Sequence, residues 1–121
     1  GEPQVFEGTI YADRIVTPLG EWERCALVDP VASNGDALLV VDADRLELQP
    51  DDNGPLINDI QSFGRFTRVS FDGTGGELTV ILNWPKNAGT VIGVGSRVRV
   101  VPKSGAVFAS PSAVEYNNDS H

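Results

Sequence analysis

Arg97-Val98-Arg99-Val100-Val101 and Glu77-Leu78-Thr79-Val80-Ile81-Leu82 are the stretches that decide the fold. In the first, Val98 and Val100 alternate with Arg97 and Arg99; in the second, Leu78, Val80 and Leu82 alternate with Glu77, Thr79 and Ile81. A period of two sends successive side chains to opposite faces of an extended chain, so both stretches read as half-buried strands. Phe66 to Phe71 repeats the pattern, with Thr67, Val69 and Phe71 on one side. Ala37 to Val41 is instead a continuous apolar run, the pattern of a strand covered on both faces.

Between these runs lie dense turn signals: Thr17-Pro18-Leu19-Gly20, Ser33-Asn34-Gly35-Asp36, Pro50-Asp51-Asp52-Asn53-Gly54-Pro55, Asp72-Gly73-Thr74-Gly75-Gly76 and Gly93-Val94-Gly95. Gly and Asn supply the positive φ angles of tight turns, and Pro fixes φ at the first central position. No segment holds an apolar i, i+3, i+4, i+7 stripe, so helix is limited to short turns. Short, frequently punctuated strands indicate an all-β barrel or sandwich, because parallel strands need crossovers of a dozen or more residues. The whole chain, 1–121, reads as one module, with a subdivision into 1–49 and 56–115 at a linker over residues 50–55.

The chain has 121 residues, enough for a domain that buries about two-thirds of its unfolded surface without metal or disulfide. Nine Lys and Arg stand against 17 Asp and Glu, a net charge of −8. Such a field repels phosphate backbones, which excludes nucleic acid as a partner and with it an OB-fold that stacks bases on Trp22, Phe71 and Trp84. Those rings are expected to be packing residues. Cys25 is the single cysteine, and its apolar neighbours Trp22, Ala26 and Leu27 mark it as a small buried hydrophobe. No run approaches the roughly 20 apolar residues of a membrane-spanning helix, and residues 1–4 lack a basic, then apolar, leader. A soluble, cytosolic module is expected. The first residue is Gly1 and strand pattern begins at once with Val5 and Phe6, so a piece of a longer chain or a mature fragment is expected.

Catalytic patterns are missing from the sequence. It contains no Gly-x-x-x-x-Gly-Lys-Ser/Thr loop for a nucleotide triphosphate. His121, the only histidine, is the last residue, where nothing fixes the geometry of a general base or metal ligand. None of the serines therefore has a histidine to activate it, and zinc would need carboxylates for most of its ligands. Asp42, Asp44, Asp51 and Asp52 lack the spacing of a calcium loop and read as solvated turn carboxylates. Gly73-Thr74-Gly75-Gly76 joins two strands and reads as a hairpin turn, and the Asn118-Asp119-Ser120 triplet carries no meaning in a cytosolic chain.

Two polar features stand apart. Lys103-Ser104-Gly105 joins the strand ending at Val101 to the one beginning at Ala106, and an ammonium, a hydroxyl and an open backbone amide there are candidate contacts for a small anion. The plainer reading is a tight turn. Arg65 and Arg68 are candidate interface residues, against the plainer reading of a solvated face.

The segments Ser62 to Asp72, Gly76 to Val80 and Val94 to Phe108 together resemble the C-terminal accessory domain, often called TOBE, of ABC-transporter ATPases. Upstream, Gly8 to Ile10, Asp13 to Gly20 and Ala37 to Pro50 are similar in order and spacing to the opening of that domain in importers of ferric iron and related small solutes. Where the family commonly has Arg-Pro-Glu, this chain has Asp42-Ala43-Asp44.

The resemblance implies an OB-like β-barrel that follows an ATPase domain on the cytoplasmic face of the membrane. It further implies a non-catalytic regulatory role, in which the same domains of two ATPase subunits pack together as a homodimer and in some importers sense the transported solute. Its own ATPase domain, and indirectly the membrane permease, are the other implied partners. ATP and Mg would belong to the parent chain, and no cofactor to this module. The alternative is a stand-alone binder of a small oxyanion, with Lys103 and Ser104 near the ligand.

Overall fold

In the computed structural model of the chain, residues 3–73, 76–82 and 92–111 are described. They form ten strands: β1 (Pro3–Tyr11), β2 (Arg14–Thr17), β3 (Gly20–Glu23), β4 (Gly35–Asp42), β5 (Leu46–Pro50), β6 (Leu56–Phe63), β7 (Phe66–Gly73), β8 (Gly76–Leu82), β9 (Val98–Pro102) and β10 (Phe108–Pro111). Single turns of 3-10 helix, Arg24–Ala26 and Ala43–Arg45, are the helical content among the described residues. The class is all-β, as period two dictates. His121, Trp84, Thr74, Gly75 and the Asn118–Ser120 triplet lie outside the described residues.

The strands pair antiparallel in three sheets: a five-stranded sheet in the order β10-β4-β1-β2-β3, the pair β5-β9, and a meander β6-β7-β8. The backbone ladders of these strands do not close into one continuous barrel. The seams are bridged by other means, and the bridges complete a circuit. Between the first sheet and the pair, the buried Trp22 indole Nε1 donates to Val100 O at 2.8 Å. Between the pair and the meander, Leu56 and Arg97 form an isolated antiparallel bridge, flanked by Ile57 N donating to Ser96 O at 2.9 Å and Val98 N to Pro55 O at 3.1 Å. Between the meander and the first sheet, the Gln4 side-chain amide lies on the backbone of Ile81: Nε2 donates to Ile81 O at 2.5 Å, and Ile81 N donates to Oε1 at 2.7 Å.

The alternating residues of each strand turn into one core. Ile10, Ile15 and Leu39 from the five-stranded sheet, Val98 from the pair, and Val69 and Val80 from the meander are all at most 2% exposed and share one cluster. Phe6 meets Trp22 edge to face, with centroids 6.4 Å apart at 89°, an arrangement that sets the positive ring edge against the negative face. Ala37 to Val41 differs from its double-covered expectation. Ala37, Leu39 and Val41 are buried, while Leu38 and Val40 are half-buried on the outer face, Val40 between Phe108 and Val5 and Leu38 between Ser110 and Glu7. Among the described residues the sheet is covered on one side only, and on the other Val40 shelters partly against its apolar neighbours.

Candidate functional site

The seam between β3 and β9 leaves a cleft of about 200 Å³, with Trp22 as a lining residue and Arg14, Glu23, Cys25, Arg99 and Ser104 around it. Its construction follows from strand register. Arg14 stands across from Glu23 in the β2-β3 pairing, and Arg99 stands across from Gln49 in the β5-β9 pairing. The Arg99 guanidinium donates to Gln49 Oε1 at 2.8 Å, which fixes its fork. Glu21 also lines the cleft, so two guanidiniums face two carboxylates. On a chain of net −8 this is a locally balanced spot.

Cys25 is exposed rather than buried, a correction to its reading as a core residue. The cause is the Arg24–Ala26 turn: Ala26 and Leu27 point into the core at 4% and 2% exposure, which leaves Cys25 outward. Its Sγ lies 3.5 Å from Glu23 Oε2.

Lys103, Ser104 and Gly105 form the tight turn between β9 and β10, with Gly105 at φ 68, in the left-handed region that glycine adopts without a steric penalty. As an anion cradle the turn is weaker than its composition suggests. The Gly105 amide donates to Cys25 O at 3.0 Å, and the Ser104 hydroxyl donates to the same oxygen at 3.2 Å. Both groups hold the turn against the 3-10 segment, and of the three residues Ser104 alone lines the cleft. Sequence reasoning missed Arg14 and Arg99 as cleft residues, because cleft membership depends on which strand edges meet. The only sequence signal was their place opposite apolar residues in alternating runs.

Arg65 and Arg68 are at the β6-β7 hairpin, remote in sequence from the cleft-lining residues, and both are exposed. A second hollow of about 220 Å³ lies between Ile10, Asn34, Asp36 and Ser110. Its rim loop is organised by Arg24, whose guanidinium donates to Pro30 O at 2.6 Å, to Asn34 Oδ1 at 3.0 Å and to the carbonyls of Ala12 and Ala32. Among the described residues no group of three or more His, Cys, Asp or Glu is placed to hold a metal ion. The Asp51 carboxylate accepts from Asn53 N at 3.0 Å, as a turn carboxylate does.

No protein-family model and no curated protein sequence matches this chain. Solved structures do. The fold is similar to that of ModG, a cytoplasmic molybdate-binding protein. The superposition with molybdate-bound ModG covers 90% of this chain and 96% of the ModG chain, with a TM-score of 0.56 and 19% identity. At that identity the likeness to ModG shows the fold alone, an all-β domain. No helix among the described residues is long and apolar enough to cross a membrane.

Proposed function

We propose that this chain is a non-catalytic, cytoplasmic module that binds a small tetrahedral oxyanion of the molybdate class. The likeness to ModG over nine-tenths of the chain supports the reading, since the ModG structure holds molybdate. The β3-β9 cleft supplies fitting chemistry: planar guanidiniums match the oxygens of an oxyanion two at a time, and Arg99 is already held in place by Gln49. Glu21 and Glu23 act against an anion and in favour of selectivity, since a ligand must pair with both arginines to outweigh them.

Calorimetric titration with molybdate, tungstate, sulfate and phosphate tests this. Saturable heat with at least one of the four is expected, together with a loss of affinity of at least roughly tenfold in Arg99→Gln, in line with a charge-assisted hydrogen bond. Absence of heat with all four removes the reading. Unchanged affinity in the variant keeps the reading and moves the site elsewhere.

A second reading is favoured by exposed apolar side chains, Val5 and Phe108 at 61% and Phe63 at 55%. Surfaces of this kind mark docking sites. In this reading the chain is the regulatory and dimerisation domain of an ABC importer ATPase for ferric iron or a related solute. It lies at the inner face of the membrane, its ATP and Mg belong to the preceding ATPase domain, and its counterpart in a second subunit is its partner.

A further inference from the structure

The tip of the β6-β7 hairpin is chemically unlike the rest of the chain. Phe63 and Phe66 stand opposite each other across the two-residue turn Gly64-Arg65. The Arg68 guanidinium lies over the Phe63 ring, 4.8 Å from its centroid, and that of Arg65 lies over Phe66 at 5.4 Å. Arg68 Nη1 also donates to Gln61 Oε1 at 3.3 Å. Residues 61–68 hold two arginines and no acid, in a chain with 17 acidic and 9 basic residues. A guanidinium stacked on a ring keeps its N–H edges in plane and loses little freedom when it pairs with a carboxylate. The tip is therefore a pre-ordered, basic and aromatic knob.

Its chemical complement is the outer face of the five-stranded sheet. Phe108, Val40 and Val5 form one row there by register, and Phe108 and Val5 are each 61% exposed. Glu7 lies on the same face two residues beyond Val5, and Asp42 lies on it two residues beyond Val40, so an exposed carboxylate stands on either side of the row. An apolar row flanked by carboxylates matches an exposed phenyl ring flanked by guanidiniums. Within one molecule the two surfaces leave each other bare, as the exposures of Phe63, Val5 and Phe108 show.

We propose that the hairpin tip of one copy docks on the outer sheet face of a second copy. Phe63 enters the row between Val5 and Phe108, and Arg65 and Arg68 pair with Glu7 and Asp42. The proposal goes beyond oxyanion binding and deepens the self-association of the second reading, on which it rests. Tip and face are separate patches, and in a dimer with a two-fold axis the contact is made twice, each copy giving its tip and receiving the other's. The occupant is a second copy because its sheet face offers an apolar row for Phe63 together with carboxylates for the arginines, whereas an anionic surface gives two arginines about 1 kcal/mol each.

Sedimentation equilibrium of the full chain at low salt, over a wide concentration range, is the test. The wild type is expected to form dimers that dissociate as salt rises. The double reversals Arg65→Glu with Arg68→Glu, and Glu7→Arg with Asp42→Arg, are each expected to weaken the dimer by tenfold or more. All four side chains are exposed, so folding is preserved and circular dichroism confirms it. An equimolar mixture of the two variants is expected to dimerise better than either alone, since both contacts of the mixed dimer are complementary: the unreversed basic tip meets the unreversed acidic face, and the reversed tip meets the reversed face. A strictly monomeric wild type overturns the proposal together with the self-association reading. A wild-type dimer indifferent to both reversals, or a mixture no better than its components, overturns this contact while self-association stands. A monomer that sediments with phosphatidylserine vesicles, and loses this on arginine reversal, overturns the contact in favour of a lipid surface.

Discussion

Gly54 is a point where main chain meets main chain. A Cβ built on it falls 2.1 Å from Val98 O and 2.7 Å from Val98 C, and neither atom moves without moving β9. Around it the Gly54 amide donates to Asp51 O at 2.9 Å, and the Arg97 guanidinium donates to Gly54 O at 3.0 Å. Gly54→Ala is therefore expected to destabilise the fold by about 2 kcal/mol or more, in the range of overpacking a tight site. Urea denaturation reads the loss as a lowered midpoint at unchanged slope. An alanine variant as stable as the wild type removes this account of the turn. The turn itself was legible from Pro50 to Pro55, since its residues carry their φ preferences locally. Its clamp onto Arg97 and Val98 was not, and neither was the hold of Arg24 on acceptors from Ala12 to Asn34. Such bonds leave no periodic trace. The Lys103-Ser104-Gly105 turn shows the same limit from the other side. Its composition named the donors, but their engagement by Cys25 O is a tertiary fact.

At the scale of elements, alternation in β7, β8 and β9 named the strands and their buried faces, because period two is written into neighbouring residues. Which edges meet is a different kind of information. The Gln4 amide joins β1 to β8 across a separation of 77 residues, and Trp22 joins β3 to β9 across 78. Either side chain, read in sequence, is an ordinary strand residue. The cleft lies along the Trp22 seam, so Arg99 escapes a reading that finds its strand, and the short strand bearing Arg14 is not among those that alternation names. The Gln4 clamp satisfies both polar backbone groups of Ile81 on strand β8, which otherwise ends the meander as an open edge. Gln4→Leu keeps the bulk and removes both hydrogen bonds. The variant is expected to lose about 1 to 2 kcal/mol, and the Ile81 amide is expected to exchange at least roughly tenfold faster with solvent deuterium. Unchanged protection at Ile81 means that the clamp does not hold the edge in solution.

For the molecule as a whole, the question is whether the stretch from Pro50 to Pro55 separates two folding units. Two ladders cross it. Strand β5 pairs with β9 over Leu46 to Pro50, and β4 pairs with β10 over Ala37 to Val40. The core cluster crosses it too: Ile15 and Leu39 come from before the stretch, Ile57 and Val80 from after it, and all four are fully buried. Neither half can open without exposing apolar surface of the other, worth about 25 cal/mol for each Å² returned to water. One cooperative unit follows. In urea, far-ultraviolet circular dichroism, which reports strands throughout, and tryptophan fluorescence, to which Trp22 at the β3-β9 seam contributes, are expected to trace a single coincident transition. If the Trp22 signal, isolated in a Trp84→Phe variant, changes at a lower urea concentration than circular dichroism, the Trp22 seam opens before the sheets, and residues 1–49 and 56–115 are then two units.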